Sequence, residues 1–184
     1  MMYTVYCDDF ILYDPRMEEL TILSPSLSLE LNKTGSFSFS IYPDHPYYSQ
    51  IEQLKSIIQV KKDGSTLFRG RVITDKTGWY NQRDITCEGE LAFLLDSRVR
   101  PFAFTGGPAE LFAELLSQHN AAMENEPEKQ FKVGTVTVTD PNDYINRSNT
   151  TYETTWDVLN TRLLDTLGGY LRVRHEGDGV YLDY

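Results

Sequence analysis

Chemically versatile side chains are scarce in this 184-residue chain, which has two cysteines and three histidines. Cys7 and Cys87 cannot build a disulfide framework or a four-thiolate metal site. Cys87 lies in DITCEGELAFLL, where it reads as a small buried hydrophobe. His45, His119 and His175 stand far apart, none with a second ligand at helical or strand spacing. HExxH, a zinc-type Cys/His pair and a calcium loop are missing too. No apolar run approaches the length of a membrane span. The opening MMYTVYCDDF lacks the basic-then-apolar layout of a secretory signal. The chain is therefore predicted to be soluble and made in a cytoplasm, and the sequons at Asn32, Asn146 and Asn149 read as chance. Basic residues are few as well, 17 against 27 acidic, for a formal charge of −10. Neutralising phosphates takes clustered Lys and Arg, so neither specific nucleic-acid binding nor membrane insertion is expected.

Catalytic patterns are equally thin. There is no GxSxG elbow. Gly106-Gly107 precedes a helix but lacks the lysine of a P-loop, and Pro108 removes a donor, so it reads as a cap. Asp8-Asp9 and Asp44-His45 read as turns. A cysteine hydrolase would need Cys87 or Cys7 beside a base such as His119, and nothing local marks either thiol as activated. No catalytic, cofactor-binding or metal residue is predicted. Tyr47-Tyr48, Trp79-Tyr80 and Tyr181 with Tyr184 invite a carbohydrate-binding reading, although their alternating or helical positions suit a core or an interface better.

What the chain does have is two-residue alternation. Leu27, Leu29 and Leu31 alternate with Ser28 and Glu30, and Phe37, Phe39 and Ile41 alternate with serines. Successive strand side chains point to opposite faces, so each run has one apolar and one hydroxyl-lined face. Leu27, Leu29, Phe37 and Phe39 are predicted to fill a barrel while the serines look outward, with a turn over 32–35. Further strands are predicted at 3–6, 10–13, 57–61, 67–74 and 83–88. Tyr47, Ile51 and Leu54 after Pro46 give the spacing of one short inserted helix. Lys61-Lys62, with Arg69 and Arg71, read as the solvated face of an edge hairpin.

Composition changes at Arg100-Pro101. A helix follows Pro108, with Leu111, Phe112, Leu115 and Leu116 on one face. A strand over 133–139 and an Asp140-Pro141-Asn142-Asp143 turn come next. Thr154 and Asp157 resemble a capping box ahead of a helix carrying Trp156, Leu159, Leu163, Leu164 and Leu167. Strands at 170–175 and 180–184 close the chain, which suggests a fragment of something longer. The predicted class is α+β: an N-terminal antiparallel β-barrel-like domain over 1–100, then a partial α+β domain over 101–184.

Four segments in order, GSFSFSIYPDHPYYSQI, IIQVKKDGSTLFRGRVI, DITCEGELAFLLDSRVRP and TTWDVLNTRLLDTLGGYLRVR, carry a resemblance covering nearly the whole chain. It resembles the N-terminal region of phage tail-tip proteins of long non-contractile tails, the minor structural or tail-endopeptidase proteins often carried by prophages. That region is similar to the baseplate hub of contractile tails. The resemblance implies a tube domain, a homotrimeric ring closing the tail tube, and a virion location after synthesis in a bacterial host. It also implies a distal tail protein and a tape-measure protein as partners. The family's enzymatic label has no matching residue here. The competing readings are a cell-wall or peptide hydrolase with a non-local site involving Cys87 or His119, and a carbohydrate-binding module using Trp79 or Tyr48.

Overall fold

A computed structural model describes residues 2–184, which form two compact units, one within 2–90 and the other Leu91–Tyr184. The protein is mixed α+β, and its first unit is a mostly antiparallel sheet curled into a half-barrel. The first unit holds β1 (Tyr3–Cys7), β2 (Phe10–Tyr13), β3 (Leu23–Ser28), β4 (Ser36–Ile41), β5 (Ile57–Lys62), β6 (Ser65–Thr77) and β7 (Arg83–Gly89). These make one sheet in the order β2-β1-β5-β6-β7-β4-β3, antiparallel throughout. Alternation sets which face is which. Phe37 pairs with Cys87 and Phe39 with Ile85 on the inner side, while Ser36, Ser38 and Ser40 oppose Glu88, Thr86 and Asp84 outside. Phe37, Phe39 and Phe68 meet in the buried core, with Phe37 ring centres 5.4 and 6.1 Å from the other two. Each such ring contributes about 1.5–3 kcal/mol by leaving water.

Three expectations for this unit are corrected. The leucine run does not continue as strand: β3 ends at Ser28, and Leu29 and Leu31 are 54% and 73% exposed in the turn. Asn32 and Gly35 take positive φ there, and the chain must leave the ladder early to make room for them. No helix follows Pro46. Residues 43–55 form successive turns, and Leu54 at φ 64° interrupts any helical path. Finally, the β5–β6 hairpin is central, since β5 pairs with β1 and β6 with β7; the edges are β2 and β3. A local sequence pattern carries no information about which distant strands will flank a hairpin.

Two backbones approach closely at the end of β7. Gly70 and Gly89 are register partners. A Cβ on Gly70 would lie 2.0 Å from the Glu88 carbonyl oxygen, and one on Gly89 2.0 Å from that of Thr34. Only glycine fits this crossing.

A 3-10 segment, Glu90–Leu95, starts on the last residue of the first unit and continues into the second. The second unit then holds β8 (Arg98–Val99), β9 (Phe102–Gly106), α1 (Pro108–Ala122), β10 (Lys132–Val133), β11 (Ile145–Asn149) and β12 (Glu153–Thr154). Helix α2 starts as Thr155–Leu159, passes one π-helical turn at Asn160–Leu164 and ends as Asp165–Leu167; β13 (Arg172–Glu176) and β14 (Gly179–Asp183) follow. The boundary precedes the composition change at Arg100 because Phe93 packs on Phe131 and Asp96 pairs with Lys129. Helix α1 buries Leu111, Phe112, Leu115 and Leu116 as its spacing predicts. The strand expected over 133–139 is regular only at Lys132–Val133, which runs parallel to β14. Beyond it the chain still bonds β14 irregularly, Tyr184 N–H to Thr135 C=O at 2.9 Å and Thr137 N–H to Tyr184 C=O at 2.8 Å. Among the described residues no helix is long and apolar enough to cross a membrane.

Candidate assembly surface and buried polar centres

An inward-pointing arginine organises the first unit. A register shift between Val72 and Thr74 places Asp75 opposite Ile85, on the same side as Arg83. Arg83 Nε donates to Asp75 Oδ1 at 3.0 Å, and Nη2 donates to the Ile51 carbonyl at 2.7 Å. Its Nη1 donates to the Tyr48 carbonyl, and the guanidinium lies 5.2 Å from the Tyr48 ring centre. The strap over 43–55 thus has two of its carbonyls, those of Tyr48 and Ile51, met by a side chain instead of by helical N–H groups. His45 anchors the strap's other end. The Tyr47 N–H donates to its Nδ1 at 3.1 Å, so Nε2 is the protonated nitrogen and donates to the Leu12 carbonyl at 2.8 Å.

The outer face of the sheet is polar and paired. Ser40 donates to Asp84 at 2.6 Å, and this bond, with one from Gln82, holds the Asp84 carboxyl below its usual range. Arg71 meets Glu88 at 2.7 Å, and Arg69 meets the buried Glu90 at 2.6 Å. Lys61 sits 4.3 Å from the Tyr6 ring centre and Lys62 6.0 Å from that of Tyr3. The basic cluster read as a solvated edge is therefore engaged by carboxylates and aromatic rings within the sheet.

The two most exposed aromatic side chains among the described residues, Trp79 at 93% and Tyr80 at 77%, lie side by side at the tip of the β6–β7 hairpin. Tyr48, the other aromatic singled out for sugar binding, bonds its hydroxyl to the Asn81 carbonyl and forms part of the Arg83 clamp. An apolar crevice of 270 Å³ opens inside the half-barrel, lined by Tyr3, Val5, Tyr13, Pro25, Leu27 and Phe37 among others.

The residues that a hydrolase would use are placed otherwise. Cys7 and Cys87 are fully buried in the first unit's core. Burial pushes the Cys7 thiol up to about 12 and raises that of Cys87 as well, so neither forms a nucleophilic thiolate. His119, in the second unit, is 0% exposed. Its Nε2 donates to the Lys129 carbonyl at 2.9 Å, so Nδ1 accepts from the Ser97 hydroxyl at 2.7 Å, and Ser97 Oγ lies 2.6 Å from Thr155 Oγ1. Burial lowers the His119 pKa below its usual value. Ser97 and Thr155 lie on separate segments, and no local motif in the sequence marks them as partners of His119. The trio resembles a nucleophile–base pair, but all three members are buried, with no approach for a substrate. At α1, Glu110 itself accepts the Gly107 N–H at 3.0 Å, so a side chain of the helix fills the cap. Asp8, in the turn after β1, accepts the Ile57 N–H at 2.9 Å, a bond to β5 rather than to its own turn. Among the described residues no three His, Cys, Asp or Glu side chains are grouped to hold a metal.

No family model matches the chain, and no curated protein matches it. Solved structures do. The 43 kDa tail protein of prophage MuSo2 from Shewanella oneidensis aligns at a TM-score of 0.61 and 16% identity, over 99% of this chain and 52% of that one. Prophage tail protein gp18 from Listeria monocytogenes EGD-e aligns at 0.56 and 15%, over 100% and 50%. The tail protein from Neisseria meningitidis MC58 aligns at 0.55 and 18%, again over 100% and 50%. The chain thus has the α+β fold found in prophage tail proteins. It spans about half the length of these structures.

Proposed function

We propose that the chain is a structural module of a phage or prophage tail, a hub-like element that contributes to a trimeric ring closing the tail tube. The observation carrying this is the shared fold over the whole chain with three tail proteins from different bacteria, two of them from prophages. Two features of the molecule support a structural role. The sheet's outer face is hydroxyl-rich and internally paired, which suits a wall, and its half-barrel leaves two strand edges, β2 and β3, for neighbours. The net charge of −10 repels DNA, so a channel lined by such subunits lets the genome or tape measure pass without sticking. The burial of Cys7, Cys87 and His119 favours a non-enzymatic role over a hydrolase. The distal tail ring and the tape-measure protein are the expected neighbours, and the virion is the expected location.

Purified tail particles test this. Mass spectrometry is expected to find the protein at the tail tip fraction and chemical cross-linking to join it to the distal tail protein. Its absence from intact particles would remove the proposal.

A further inference from the structure

The first unit carries an apolar knob and an apolar crevice at separate places along one strand. Trp79 and Tyr80 form the tip where β6 turns into β7. An indole at 93% exposure beside a phenol at 77% is a costly arrangement for a surface that touches only water. The crevice lies over the first half of β6. Tyr3, on its rim, pairs with Lys62 next to the turn that begins β6, and Val60 in its wall pairs with Phe68. The crevice reaches as far along β6 as Val72, because its lining residue Phe37 opposes Cys87, the partner of Val72; the five residues from there to Thr77 put the tip roughly 17 Å or more away at about 3.3 Å per residue. The knob cannot fill the crevice of its own chain.

We infer that the Trp79–Tyr80 tip of one copy docks in the Tyr3–Pro25–Leu27 crevice of a second copy. The crevice volume of 270 Å³ suits one bicyclic ring, given that an apolar cavity of about 150 Å³ holds a benzene. Its lining favours an aromatic guest: Tyr3, Tyr13 and Phe37 offer ring edges and faces, and Lys62 beside Tyr3 adds a cation for the electron-rich indole. A contact between two different patches is heterologous, and heterologous contacts close into rings when the rotation permits. This inference deepens the ring proposed above and rests on that reading for its closure, because the same contact without closure would give a filament.

Mixed-copy cross-linking is the test. One preparation carries Gly78→Cys and a tag, which leaves Trp79 in place and has room for a side chain, and the other carries Pro25→Cys without one; both positions are exposed and the native thiols are buried. Mild oxidation is expected to yield a tagged–untagged disulfide dimer only from the mixture, and Trp79→Ala is expected to weaken self-association about thirtyfold in sedimentation, as for an interface hot spot. Circular dichroism of Trp79→Ala confirms that the fold is kept. Undiminished self-association of Trp79→Ala, with no mixed disulfide, would overturn the inference and leave the ring standing on another surface. A wild-type protein that stays monomeric at every concentration would overturn both. Loss of binding to a cell-wall glycan on Trp79→Ala, with self-association unchanged, would assign the knob to sugar recognition instead.

Discussion

Arg83 ties β7 to β6 and to the strap over 43–55. It pairs with Asp75 and also supplies donors to the strap carbonyls of Tyr48 and Ile51, so its loss strands several buried acceptors at once. Arg83→Met is expected to cost about 3 kcal/mol in urea unfolding, and Asp75→Leu in the same chain to recover part of it. His119 sets a pH dependence in the second unit. Its folded pKa lies below the ordinary 6.5 because burial disfavours the charged ring. The unfolded chain therefore binds more protons in the window below 6.5, so stability is complete above that value and declines as pH falls through it. Denaturation midpoints of the wild type, followed between pH 7.5 and 5, are expected to fall with acidification. A flat profile would contradict the assignment of His119 as a buried neutral ring. On the alkaline side, Cys7 is raised to about 12 from 9.0, so the stability it confers is present below 9 and lost as pH rises through 12.

At the scale of elements, alternation and capping were legible and long-range arrangement was not. Phe37, Phe39 and Ile41 announce β4 because a half-buried strand must alternate, and the structure buries all three. Thr154 caps α2 by accepting the Asp157 N–H at 3.1 Å, and Thr154→Ala is expected to lose about 1 kcal/mol by thermal melting. The leucine alternation misled because Leu29 and Leu31 lie in a turn, where period two has no structural meaning. Phe39→Ala should cost about 3–5 kcal/mol, whereas Leu29→Ser and Leu31→Ser should each stay within about 0.5 kcal/mol in dilute solution. Equal effects from the two sets would contradict the register. The strap after Pro46 had helical spacing, yet its stabilising partners, Arg83 and Leu12, are far away in sequence. Side chains from Ser97, His119 and Thr155 likewise converge from three elements, and no local motif marks such a meeting.

For the whole molecule, the chemistry that is absent and the surfaces that are present point the same way. Thiols and imidazole that could serve a hydrolase are buried, while an aromatic tip, an apolar crevice and two sheet edges stand available. Peptidoglycan incubated with the protein is expected to remain intact; turnover abolished by a Cys87 or His119 substitution would reverse that reading. The hub proposal makes the strongest commitment of all, a closed ring of copies. Electron microscopy of the protein together with its distal tail partner tests it most directly. A threefold ring around a central channel, with the half-barrels in its wall, is the predicted result. A stable monomer at high concentration, with the distal tail protein present and unbound, would contradict it.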